Sequence, residues 1–125
     1  MNNKDIDICI DSICYFVRIY KKQNKKPIDI FIDSNYKKYY QEISMEKIIT
    51  KVKSDESIVE EWIMFTLDKR WTPAWGLFEK ENGKWFVSLI EKTGKPSYEL
   101  IYTDRILACA HMIKFEMEGL RLGEK

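Results

Sequence analysis

The chain holds a single histidine, His111, so any Ser–His or Cys–His nucleophile pair has to use it. Cys109 stands two residues away. On a helix that spacing turns the two side chains about 200° apart, so they cannot pair locally. Cys9 and Cys14 reach His111 only through the fold, and nothing in their spacing asks for it. No pair of the three cysteines has zinc-ligand spacing. Carboxylates pair at Asp55-Glu56 and Glu60-Glu61. Acid–base chemistry needs two carboxyls whose surroundings push their pKa values apart. The stretch SDESIVEE is polar and reads as a solvated helix start, where acidic residues favour the helix dipole. None of the five glycines stands in a dinucleotide or phosphate-loop pattern, and there is no EF-hand pattern. The reading is a non-enzyme with no catalytic residue, no cofactor site and no metal site.

The elements that position these residues follow from periodicity. Ile6, Cys9, Ile10, Ile13, Phe16, Val17 and Tyr20 recur at three- and four-residue steps, which predicts one helix over 5–23. KKQNKKP at 21–27 ends it, because Pro27 cannot continue a helix. IDIFID at 28–33 alternates and fits a short strand, although six residues leave the region 28–43 open. Tyr36, Tyr39 and Tyr40 fall in a helical turn or loop. Ser44 is placed to cap a helix over 45–53. Ser57 and Glu60 have capping-box spacing for a helix near 58–69, with a strand as the alternative.

The clearest local signal is Asn82-Gly83 between two apolar-rich runs, a pair that supplies the positive φ of a two-residue hairpin turn. That turn would pair Glu81 with Lys84, Phe78 with Val87 and Trp75 with Ile90. Strands are expected near 74–80, 85–91 and 97–102, the last after a turn at 93–96. Thr103 or Asp104 then caps a closing helix at 104–119, with Ile106, Cys109, Ala110, Ile113, Met117 and Leu120 inward and Gly119 or Gly123 at its end. The fold class is α+β: one domain over 1–125, a small antiparallel β-meander packed with N-terminal and C-terminal amphipathic helices.

Composition bounds the function. At 125 residues, with 45% apolar and 33% charged side chains, the chain suits one ordinary globular domain. The net charge of +1 lacks the whole-domain basic field of a nucleic-acid binder. The start, MNNKDIDICIDSIC, places Asp5, Asp7 and Asp11 inside its apolar stretch and fails as a signal peptide. No uncharged run approaches the ~20 residues that span a bilayer. A cytoplasmic protein with reduced thiols and no membrane role is the expectation.

What remains is binding. Four Trp and seven Tyr exceed what a minimal core needs, and such side chains are enriched at interfaces. Trp75 and Trp85 read as core, whereas Trp71 precedes a Thr-Pro loop and is free to serve a partner, as is Tyr98. On the closing helix Leu107, His111 and Phe115 share a face away from the inner stripe. A helix apolar on two sides is either sandwiched, here by the N-terminal helix, or covered by a partner. The candidate partner-binding residues are Asp55, Glu56, Glu60, Glu61, Trp71, Tyr98, His111 and Phe115. The acidic four would supply electrostatic steering.

From Trp71 to about Leu120 the chain resembles the small α+β immunity proteins of bacterial polymorphic-toxin and contact-dependent inhibition systems. The resemblance lies in AWGLFEKENGKWFVSLIEK, a strand–turn–strand opening on Trp-Gly, and in SYELIYTDRILACAHMI, a strand feeding an amphipathic helix. It implies a cytosolic, non-enzymatic protein that binds the C-terminal domain of a cognate toxin and inhibits it stoichiometrically. The rival reading is a small nucleic-acid-binding or phage-derived regulatory module.

Overall fold

The computed structural model describes residues 3–67, 74–80, 83–91, 93 and 95–123. Helices lead. α1 (Asn3–Cys14) and α2 (Phe16–Gln23) take the place of the single expected helix. They meet at Tyr15, whose φ of −92° and ψ of 17° bend the path, while its N–H still donates to Asp11 O at 2.9 Å. Asn24, in the left-handed region, ends α2. Among the described residues no helix is long and apolar enough to cross a membrane.

Residues 28–33 are helical, not a strand. α3 (Pro27–Ser34) starts on Pro27, whose missing N–H costs nothing at a first helical position. Its buried residues are Pro27, Ile30, Phe31 and Ser34, a helical spacing that the I-D-I-F-I-D alternation conceals. α4 (Tyr36–Tyr39) and a 3₁₀ turn (Tyr40–Glu42) follow. α5 (Met45–Ser54) is capped by Ser44, whose hydroxyl accepts the Lys47 N–H at 3.3 Å.

α6 (Ser57–Thr66) settles the helix-or-strand choice in the 58–69 region, ending three residues earlier than expected. The capping box does not form. The Asp55 carboxylate takes the Ser57 N–H instead, and Glu60 is drawn off to Arg105. Trp62 anchors α6 in the core. It stacks on Phe16 at 5.6 Å, meets Phe65 edge-on and donates its Nε1–H to Cys14 O at 3.1 Å. All three cysteines are free and buried.

The expected meander is present. β1 (Ala74–Lys80), β2 (Lys84–Ile90) and β3 (Pro96–Tyr102) form an antiparallel sheet in the order β1-β2-β3. Its first register differs by one from the two-residue-turn expectation. Lys80 pairs with Lys84, Phe78 with Phe86, Leu77 with Val87 and Trp75 with Leu89, so three residues lie between the paired ends. Gly83 at φ 68° suits the left-handed position of such a three-residue connection. A shift of one reverses every cross-strand match. The observed one puts buried Leu77 against buried Val87.

α7 (Arg105–Arg121) closes the fold, starting one residue later and ending two residues later than expected. Asp104 caps it by accepting the Ile106 and Leu107 N–H groups, and Gly123 at φ 73° follows its end. α7 touches all three strands and also α1, α3, α4, α5 and α6, so it lies between the sheet and the helices. The second apolar face of α7 is covered by the sheet, not by the N-terminal helix. His111 meets Tyr102, and Phe115 meets Trp75 at 4.8 Å between ring centroids. Trp85 is buried as expected, while Trp75 is half-buried against Phe115.

Candidate interaction surface

The two outer edges of the sheet are treated differently. On β1 two outward N–H groups are taken by side chains. The side-chain Oε1 of buried Glu116, on α7, accepts the Trp75 N–H at 3.0 Å, and Thr66 Oγ1 accepts that of Leu77 at 2.8 Å. No hydrogen bond among the described residues covers the outer edge of β3. That edge displays Tyr98, Leu100 and Ile101, exposed by 74%, 40% and 61%.

The register explains the display. Ser88 pairs with Glu99 and Leu89 with Ser97, so Tyr98 is the extra residue of a bulge. Tyr98 has φ 54°, a region that bulky side chains rarely enter. Ile101, Phe86 and Phe78 form one row across the three strands, on the face opposite Tyr102 and α7. Lys80 borders this row. Its ammonium lies 4.3 Å over the Phe86 ring and 3.2 Å from Glu99. An apolar row ending at an open strand edge can accept a strand and its side chains from another chain.

The acidic residues sit elsewhere and are engaged within the molecule. Arg105 bonds Glu56 at 2.7 Å and Glu60 at 3.0 Å, tying α7 to α6. Arg18 bonds Glu61 at 2.8 Å, tying α2 to α6. Asp55 accepts the Tyr15 hydroxyl at 2.6 Å and both groups of Ser57. Hydrogen bonds from Ser57 and then Tyr15 hold its carboxyl below the usual range. Two arginines thus offset half the charge of the four carboxylates, leaving a modest field for steering.

His111 and Phe115 lie half-buried beneath the sheet. His111 Nδ1 and the Tyr102 hydroxyl share a hydrogen bond of 2.9 Å. Burial lowers the His111 pKa and raises that of Tyr102. The thiols are far from activated: burial pushes Cys9 up to about 11 and Cys14 to about 12, and raises Cys109 as well. Trp71 lies outside the described residues. Among the described residues no group of three or more His, Cys, Asp or Glu side chains is arranged to hold a metal.

The sequence singled out Tyr98 but carried no signal for its positive φ, since neither Gly nor Asn stands there. Leu100 and Ile101 were read only as strand residues. The apolar pair beside Tyr98, in a strand with one charged side chain, was the available signal. No family model, curated protein or solved structure matches the chain.

Proposed function

We propose that this chain is an immunity protein: a cytoplasmic, non-enzymatic binder that holds the C-terminal domain of a cognate bacterial toxin inactive. The observation that supports a binding role is the uncapped β3 edge, with Tyr98, Leu100 and Ile101 exposed, on a sheet whose opposite edge is closed by Thr66 and Glu116. Stoichiometric inhibition requires contact area and anchors, not chemistry. Tyr98 is the natural anchor, because tyrosine joins a large apolar body to a polar tip and is enriched among the few residues that dominate binding energy. The toxin reading itself rests on the resemblance in the C-terminal half.

The test uses the purified protein as bait in an extract of its source bacterium at moderate salt, with mass spectrometry as readout. The reading expects a stoichiometric partner with a toxin-like C-terminal domain, whose toxicity is abolished by co-expression of this chain. Substituting Tyr98→Ala and Ile101→Ala together should weaken that complex by about 2–4 kcal/mol. Recovery of nucleic acid with a steep salt dependence would transfer the case to the nucleic-acid-binding module.

A further inference from the structure

A second exposed apolar feature lies on the helical side of the molecule. α3 buries Ile30 and Phe31 but leaves Ile28 and Ile32 exposed by 45% and 62%, one turn apart on its outer side. At the α3 end a hollow of about 310 Å³ opens toward α4. Phe31 and Ile32 form its apolar part, and Asn35, Lys37 and Lys38 complete its lining. Asn35, at φ 63°, makes the sharp link that brings the two lysines back beside Ile32.

The charged residues that line the hollow are both basic. Lys37 and Lys38 are exposed, and neither forms an ion pair among the described residues. The nearby Asp33 is bound to Lys25 at 2.7 Å. Residues 21–38 contain six lysines against two aspartates, although the whole chain is nearly neutral. We infer that the α3–α4 hollow docks an acidic segment of a partner protein, seating a large apolar side chain against Phe31 and Ile32 while carboxylates meet Lys37 and Lys38. Charge complementarity selects the acidic partner. A protein segment fits better than an anionic lipid surface. Asp29 and Asp33 share the exposed side of α3 with Ile28 and Ile32 and would meet such a surface together with them. The hollow has no residue in common with the β3 edge, so the inference stands apart from the toxin reading.

The test is a nuclear magnetic resonance titration of the isotope-labelled full chain. The probes are a peptide repeating Glu-Glu-Leu-Phe, its counterpart repeating Lys-Lys-Leu-Phe, and phosphatidylserine–phosphatidylcholine vesicles. The inference expects shifts from the acidic peptide that concentrate at Phe31, Ile32, Asn35, Lys37 and Lys38. Charge reversal by Lys37→Glu with Lys38→Glu should weaken binding roughly tenfold. Ile32→Ser should weaken it at unchanged salt dependence. Circular dichroism checks that each variant keeps its helices. Equal shifts from the basic peptide, no shifts here at millimolar acidic peptide, or undiminished binding by the charge-reversed variant would overturn the inference. Binding to vesicles without binding to the acidic peptide would overturn it too, and assign the site to lipid.

Discussion

Tyr98 combines two costs that a folding-only sequence would avoid. It keeps a large side chain in water, and it holds φ at 54°. A non-glycine residue in the left-handed region is disfavoured by about 1–2 kcal/mol, and glycine recovers that less its own entropic penalty of about 0.5–1 kcal/mol. Tyr98→Gly should therefore leave the fold at least as stable, with a gain of up to about 1 kcal/mol in urea unfolding, while weakening any complex made at this edge. A loss of more than 1 kcal/mol in the isolated protein would show that Tyr98 belongs to the fold and not to a surface. Gly76 is the reverse case. A Cβ there would lie 2.9 Å from Thr66 Cγ2 and 3.1 Å from the Phe78 ring. Thr66 cannot swing away without losing its bonds to Leu77 and Trp62. Gly76→Ala should cost about 1–3 kcal/mol by overpacking, read from the same unfolding curves.

At the scale of elements, the asymmetry of the sheet edges rests on two side chains. Thr66→Val keeps the shape of the side chain but orphans the Leu77 N–H, an expected loss of about 1–3 kcal/mol. Hydrogen exchange should then quicken at Leu77 and spread through β1; unchanged protection there would mean the cap is incidental. The elements were legible where one pattern had one solution. The meander followed from apolar runs around Asn82-Gly83, and α7 from its inner stripe with Asp104 ahead of it. The hairpin register was not legible, because the same Asn-Gly pair serves two- and three-residue connections. The choice fell to the match of Leu77 with Val87, which only the packed sheet reveals. α3 misled because Ile28, Ile30 and Ile32 satisfy period two, while Pro27, Ile30, Phe31 and Ser34 satisfy a helix. The acidic cluster was visible as a sequence run, but its arginine partners were not. Arg18 and Arg105 stand more than forty residues from the carboxylates they bond.

At the scale of the molecule, near-neutral charge conceals local order. Lysines crowd residues 21–38, and several acidic groups elsewhere are bound to arginines, tyrosines or lysines of other elements. Such links make stability depend on pH in separable limbs. His111 is the only side chain whose ordinary pKa lies near neutrality, and burial lowers its folded pKa from the ordinary 6.5. Near that value the unfolded chain binds more protons than the folded one. Stability is therefore complete above 6.5 and is lost as pH falls through the lower folded value. Glu118, together with Asp55, makes the acid limb. Hydrogen bonds from Arg121, and then from Tyr36, lower the Glu118 pKa from 4.5, so its contribution is present above 4.5 and is lost below. Urea midpoints measured from pH 8 to pH 3 should fall in two stages. His111→Gln should flatten the first stage and leave the second, and Glu118→Gln should reduce the second and leave the first. A wild-type midpoint that stays level between pH 7 and pH 5, or a His111→Gln variant with the same slope there, would mean that the burial of His111 beneath the sheet does not discriminate between the two charge states of the ring.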